Sequence, residues 1–412
     1  MREMKDSGVR WIGKIPTKWT IAKAKNCVEI QNGSDPKTEG SIPVYGSGSM
    51  SFKTCGEYKE GPSVLIGRKG ATLHIPHYIS SRFWNVDTAF NVYSKSIFDL
   101  KYYFYCAHVF DYTLYMSQTT LPSMTQTAYE NMFLPLPTKE EQYAIANQLD
   151  QICSKIDAVL EKTRASIEEY KKLKQTVITQ AVTKGIRGDR PMKDSGIEWI
   201  GEIPAEWDVV RQKYFWNTVE SGVSVNAADK PVDNSEQYGV LKTSAVSKFV
   251  FIPTEHKQVN LEEYGRVSCP VRPDSIIASR MNTPELVGAC GYVQNNYPNL
   301  FLPDRLWQIT FKNGLSPKYA WYYLSGIRVR QYISSLSTGT SSSMQNISQS
   351  QYGNIFITIP SIGEQSEITK YLDEKCRSVD ALVTKKQQYL TEIENYKKSL
   401  IYEYVTGKKE AV

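Results

Sequence analysis

The chain has 412 residues, carrying 49 Lys and Arg against 43 Asp and Glu, with 41% hydrophobic and 22% charged residues. That length asks for two or more cores. No apolar run reaches the roughly 18 residues of a membrane span, and the start MREMKDSGVRW has no apolar signal segment.

The seven cysteines are scattered and form no CxxC pair, so neither a disulfide framework nor a zinc site is indicated, and a cytoplasmic location is expected. The excess of +6 sits in the first 190 residues: 15 basic against 11 acidic in 1–137, and 10 against 8 in 138–190. The remainder balances, at 15 and 15 in 191–360 and 9 and 9 in 361–412. A phosphate-gripping protein needs a basic face rather than a basic total, so this distribution permits a polyanionic partner without requiring one.

The chain opens with MKDSGVRWIGKIPTKW at 4–19, followed by a body predicted as mixed α/β through 136. Strands are expected at 41–50, 62–73 and 84–94, and an aromatic helix at 100–117. Three places in this body carry binding chemistry. Arg68 and Lys69 end the strand VLIG. Ser47 lies in a glycine turn after VY. Gln118, Thr119 and Thr120 belong to a hydroxyl-rich loop before the strand LPL. The plain alternative for Arg68 and Lys69 is an ion pair with Asp87, and for the loop a simple connection.

From 137 to 190 runs one long helix and its linker. Thr138 to Glu141 fits a capping box. Ile145, Leu149, Ile152, Ile156, Val159, Thr163, Ser166, Tyr170, Leu173 and Val177 alternate steps of four and three, a heptad seam. Forty-five helical residues from 138 to 182 would span roughly 68 Å. A lone heptad helix argues for a bundle or dimer.

The opening then repeats as MKDSGIEWIGEIPAEW at 192–207, with eleven of sixteen positions identical at an offset of 188. A second body follows, 191–359, with strands expected at 238–246, 274–293 and 304–311 and a helix at 316–336. Its binding candidates are Lys242 and Thr243 after VL, Arg280 and Asn282 after IIAS, and Thr338, Gly339, Thr340 and Ser341 in a glycine and hydroxyl loop. Arg and Asn read guanine and adenine edges bidentately, and hydroxyl loops suit phosphates. An ion pair of Arg280 with Asp304 is the plain alternative. The Trp and Pro residues of the two openings are read as structural.

The second long helix, 360–412, repeats the first at an offset of 223. Pro137, Glu141 and Gln142 meet Pro360, Glu364 and Gln365. Its seam is Ile368, Leu372, Val379, Leu382, Tyr389, Ile393, Tyr396 and Leu400. Two matched helices in one chain are most economically paired with each other, antiparallel, as a coiled coil relating the units by a pseudo-twofold axis.

Enzyme signatures are scarce. There is no GxxxxGK[ST] loop, no NPPY- or DPPY-like string, and no ExK after either Pro-Asp. His74 and His77 lack a third ligand, so no metal is expected. Three readings stay open on residues alone: a nucleic-acid reader, a coiled-coil scaffold joining two ligand-binding domains, or an enzyme with an unrecognised site.

The twice-used SG(V/I)xWIGxIPxxW opening, the two PxxxEQxxI helix starts and the order body–helix–body–helix resemble the specificity subunit of Type I restriction–modification systems. The resemblance covers essentially the whole chain. It implies two target recognition domains, each reading half of a split sequence in double-stranded DNA. It implies that the helices form a spacer that docks two methyltransferase subunits, with restriction subunits joining the complex. The chain itself would be non-catalytic and bind no cofactor; S-adenosylmethionine, ATP and Mg2+ are expected on those partners. The first loop, TTLPSMT, departs from the glycine-threonine form that STGTSSSM approaches.

Overall fold

The computed structural model describes residues 2–48, 50–95, 98–117, 122–341 and 344–411. The chain divides into two compact units, Met1–Ser166 with Lys386–Val412, and Ile167–Lys385. The segments 137–190 and 360–412, expected as elements apart from the bodies, are therefore each shared between the units.

In the first unit, the core sheet is antiparallel in the order Val28–Asn32, Ala89–Ser94, Ser63–Gly67, His77–Ile79. Ser63–Gly67 is buried along its whole length, which is why it reads as an unbroken apolar run rather than an alternation. A smaller sheet joins Lys53–Cys55, Ile42–Tyr45 and Trp84–Asn85, the last pair parallel. The strand expected at 41–50 thus stops at Tyr45, and that at 84–94 splits into Trp84–Asn85 and Ala89–Ser94. The helix expected at 100–117 ends at Ala107, and a 3-10 turn, Tyr112–Leu114, follows with Asp111 as its cap.

The second unit repeats this plan. Its antiparallel sheet runs Trp216–Ser221, Leu306–Phe311, Ser275–Ser279, Cys290–Val293. Its second sheet has grown to five strands, with Gly239–Leu241 parallel to Tyr297–Phe301 at the centre. The helix expected at 316–336 breaks into Pro317–Leu324 and Ile327–Leu336, because Gly326 is extended (φ −66, ψ 141) and caps the second piece. The offset between counterpart elements rises in steps: 188 at Val28 and Trp216, 212 at Ser63 and Ser275, 217 at Leu100 and Pro317, 223 at Gln126 and Gln349. The second body's extra length therefore enters outside the core sheet, most of it in the stretch that adds strands to the second sheet, and the core sheet keeps its strand order.

Each opening box forms a hairpin, Met4–Asp6 with Lys14–Pro16 and Met192–Asp194 with Glu202–Pro204. Their Ile15 and Ile203 are 1% exposed, and Trp19 and Trp207 are as deeply buried, so the boxes are core. The strand after each box pairs with the strand just before a long helix: Thr20–Lys23 with Phe133–Leu136, and Asp208–Arg211 with Phe356–Ile359.

The long helices are Lys139–Lys184 and Ile362–Val405. At 1.5 Å per residue their 46 and 44 residues span about 69 and about 66 Å. Within the first unit they run antiparallel, with Lys397 Nζ 2.6 Å from Asp157 Oδ1 and Arg164 Nη2 2.5 Å from Glu394 Oε1. Within the second unit Lys174 Nζ meets Asp380 Oδ2 at 2.7 Å.

Part of the expected seam is displaced by one residue. Ile145, Leu149, Ile368, Leu372 and Leu400 are buried, and Ile152, Ile156, Tyr170, Val177, Val379 and Ile393 half-buried. Val159, Leu173, Leu382, Tyr389 and Tyr396, however, are exposed by 41, 48, 42, 48 and 58%. Cys153, Leu160, Ile167, Cys376 and Leu390 are buried instead. Neighbouring apolar residues such as Val159 and Leu160 satisfy two heptad frames at once, and only packing against the sister helix selects one. The residues of the unselected frame remain exposed.

The Glu-Gln pair at each helix start has a structural task. Gln142 Oε1 accepts from Asp99 N at 2.7 Å while its Nε2 donates to Pro137 O at 3.1 Å. Gln365 does the same with Ser316 N at 2.8 Å and Pro360 O at 2.9 Å. Thr138 and Glu141 form the expected capping box, at 3.2 and 3.3 Å. At the second helix Ser361 Oγ accepts from Glu364 N at 3.3 Å, but the Glu364 carboxylate turns away to Trp207 Nε1 (2.9 Å) and Arg190 Nη1 (2.5 Å).

Candidate nucleic-acid interface

The same local arrangement carries the basic candidates in both units. Each arginine follows the central strand of the core sheet, so its backbone is fixed by its neighbours. Arg68 N donates to Thr88 O at 2.8 Å, and Met124 N donates to Arg68 O at 2.9 Å. Arg280 N donates to Arg305 O at 2.9 Å, and Ile347 N donates to Arg280 O at 3.1 Å. The strand end and the loop before the small helix, separate candidates in sequence, are thereby stitched into one edge.

In the first unit Lys69 bridges to Ser123, which also bridges to Ser117. The Ser47 and Thr72 hydroxyls are 3.1 Å apart, bringing Ser47 to the same edge. Arg68 Nη1 donates to Asp87 O at 3.3 Å and the guanidinium lies 5.9 Å from the Phe90 ring centroid. Lys69 Nζ is 3.7 Å from Asp87 Oδ2, both half exposed, a pair of small energetic value. Gln118, Thr119 and Thr120 lie outside the described residues.

In the second unit, the strands Met281–Asn282, Met344–Asn346 and Thr338–Ser341 form a three-stranded sheet of their own. Asn282 therefore pairs with Gln345, and Thr338 with Asn346. Gly339 is required here, since a Cβ would stand 2.5 Å from Met344 O. Thr340 and Ser341 contribute backbone to this sheet. Arg280 is exposed and does not pair with Asp304, whose Oδ1 accepts from Ser224 Oγ at 3.1 Å. Arg305, absent from the sequence candidates, is exposed beside it; the signal was the turn Pro303-Asp304-Arg305 before a strand. Lys242 Nζ stands 3.2 Å from Asp229 Oδ1, which Lys257 Nζ also approaches at 3.5 Å. Those two ammoniums hold the Asp229 carboxyl below its usual range. Thr243 begins a 3-10 turn next to Lys242.

Arg330 was also missed. It is almost fully buried, and its Nη2 donates to Glu285 O at 3.1 Å and Val287 O at 2.6 Å, pinning the turn after Asn282. No group of His, Cys, Asp and Glu able to hold a metal occurs among the described residues. The His77 ring lies 5.4 Å from the Tyr45 ring in a tilted arrangement, and burial lowers its pKa. Burial pushes the thiols of Cys153 and Cys376 up to about 11, so both are protonated packing groups at neutral pH. No helix is long and apolar enough to cross a membrane.

Each unit also holds a groove between its aromatic helix and the long helices. One is about 490 Å³, lined by Phe104, Tyr105, Asp150, Cys153, Asp157 and Lys397 among others. The other is about 780 Å³, lined by Trp321, Tyr322, Asp373, Cys376, Asp380 and Lys174 among others. Tyr105 OH donates to Asp150 Oδ1 at 2.7 Å, as Tyr322 OH does to Asp373 Oδ1 at 2.8 Å.

A chain built twice, with an arginine at the same strand end of each unit, is a two-headed mixed α/β protein. It belongs to the family of the Type I restriction modification DNA specificity domain, whose pattern matches residues 16–169 and 204–394. Among its relatives, the Type I restriction enzyme MjaVIII specificity subunit of Methanocaldococcus jannaschii is 27% identical over 304 residues, covering 70% of this chain and 65% of that protein. The Type I restriction enzyme EcoEI specificity subunit of Escherichia coli is 24% identical over 223 residues, covering 53% of this chain and 37% of that protein. The chain thus spans less than two thirds of either relative's own length. A solved chain from a type I R-M system complex shares the fold, with a TM-score of 0.67 at 16% identity over 95% of this chain and 98% of that one.

Proposed function

We propose that this chain is the DNA-reading, non-catalytic subunit of a Type I restriction–modification complex. Each body reads one half of a bipartite target, and the long helices set the number of base pairs between the halves. The observation that carries this is the duplicated edge: Arg68 and Arg280 occupy the same strand end, each bonded to the loop before the small helix. Phosphate contacts from backbone and hydroxyl groups fix register there, while Arg, Lys and Asn side chains reach base edges. Side chains around this common frame differ between the units, as two different half-sites demand.

The exposed apolar residues Val159, Leu173, Leu382, Tyr389 and Tyr396, and the duplicated grooves, support docking of two copies of one protein, the methyltransferase subunit. S-adenosylmethionine, ATP and Mg2+ belong on such partners, methyltransferase and restriction subunits, in this reading. Kinship with Type I restriction enzyme specificity subunits supports it. Reconstituting the chain with methyltransferase subunits and mapping methylated adenines tests it: one split motif with a fixed gap is expected. Methylation without sequence preference, or methyl transfer by the chain alone, would overturn it.

A further inference from the structure

The first unit carries an apolar tip at its basic edge, more exposed than Met344 (45%) at the edge of the second. The tip is the turn between Ile42–Tyr45 and Lys53–Cys55, where Met50 is 82% and Phe52 is 60% exposed. Phe52 and Ser47 are each held in place. Phe52 N donates to Val44 O at 3.1 Å, and the Ser47–Thr72 hydroxyl contact of 3.1 Å ties Ser47 to the turn after Arg68 and Lys69. Gly70 in that turn has φ +108, and a Cβ there would stand 3.3 Å from Ser47 Oγ. Ile75, further along, is also exposed. Lys53 Nζ lies 5.6 Å from the Phe52 ring centroid. Apolar and cationic side chains thus share one face.

At the counterpart place in the second unit the first turn of the connection packs inward, and Val250 further along is 41% exposed. After Gly239–Leu241, Ala245 and Val246 are fully buried, and Lys242 pairs with Asp229. The two heads therefore differ in chemistry where their frames agree.

We propose that Phe52 and Met50 read thymine C5-methyl groups, so that the half-site of the first unit is recognised partly by apolar contact. This rests on the DNA-reading function. The cations draw the edge onto a phosphate backbone, and the thymine methyl is the apolar group a major groove offers there.

The test uses the complex of the full chain with its methyltransferase subunits and its mapped target. Binding is measured to the target duplex and to duplexes with deoxyuridine for thymine in one half or the other. A loss of about fourfold per methyl is expected in one half only. The Met50→Ala/Phe52→Ala chain, altered only at exposed positions, should bind the target more weakly and no longer sense deoxyuridine in that half. The proposal is overturned if the altered chain still discriminates as the unaltered one does, or if neither half contains thymine. It is also overturned if the altered chain binds DNA normally but loses a protein partner or self-association. In each of those cases the unaltered complex still reads its target, so the DNA-reading function stands. Loss of all sequence preference by the unaltered complex would instead remove that function.

Discussion

The side-chain Oε1 of Gln142 accepts a hydrogen bond from the backbone N–H of Asp99 at 2.7 Å, joining the start of a long helix to the start of the aromatic helix beside it. Gln365 and Ser316 repeat the bond at 2.8 Å. Both glutamines are fully buried. Replacing either by Ala leaves buried backbone groups unsatisfied, so each of Gln142→Ala and Gln365→Ala should cost about 1–3 kcal/mol in urea unfolding. The target read by whatever protein stays folded should not change; altered bases would mean that these residues act beyond the fold.

Leu160 and Val159 separate packing from docking. Leu160 is 4% exposed and Val159 41%. Leu160→Ala should cost about 2–5 kcal/mol by opening a cavity in the helix pair. Val159→Asp should leave the thermal midpoint of the isolated chain within a few degrees yet reduce co-purification with methyltransferase subunits. Equal midpoints for the two variants would restore the seam expected from sequence.

Arg280 is exposed at the end of a buried strand. Arg280→Ala is expected to relax the mapped motif at one base pair of one half-site, by about 1–3 kcal/mol. A uniform loss on all sequences, with a shallower salt dependence, would make it a phosphate contact.

Removing one heptad from each long helix takes out about 10 Å, or about three base pairs. Both half-sites should persist with a shorter gap in methylation mapping. An unchanged gap would show that the helices do not set it.

His108 supplies a pH dependence. Burial, with help from Lys397, lowers its pKa to about 4. Between that value and the unfolded value near 6.5 the unfolded chain binds the extra proton. The stabilisation is therefore complete above pH 6.5 and falls as pH drops toward 4, by on the order of 1–3 kcal/mol. His108→Phe should flatten the stability curve in that window when denaturation midpoints are compared. Groups facing His108 include Asp157, which acts in the opposite sense.

Repetition was the most legible property of the chain. The boxes at 4–19 and 192–207 and the two Glu-Gln helix starts are written in consecutive residues, so local sequence alone determines them. Turns and helix ends at Tyr45, Ala107 and Gly326 were less legible, because propensity continues past points where packing stops an element. Arg68 and Arg280 were visible as residue types at strand ends, but Arg305 and Arg330 matter through neighbours 25 and 43–45 residues away. Heptad phase was beyond the sequence for a specific reason. Val159 beside Leu160, and Tyr389 beside Leu390, offer two apolar frames of nearly equal merit. Burial against a sister helix some 220 residues away selects Leu160 and Leu390. The sequence by itself determined that the chain is one unit written twice, because identity at a fixed offset needs no folding to be seen. Tertiary structure alone decided which face of each long helix is spent on the fold and which stays exposed, because that choice is made by contact across the helix pair.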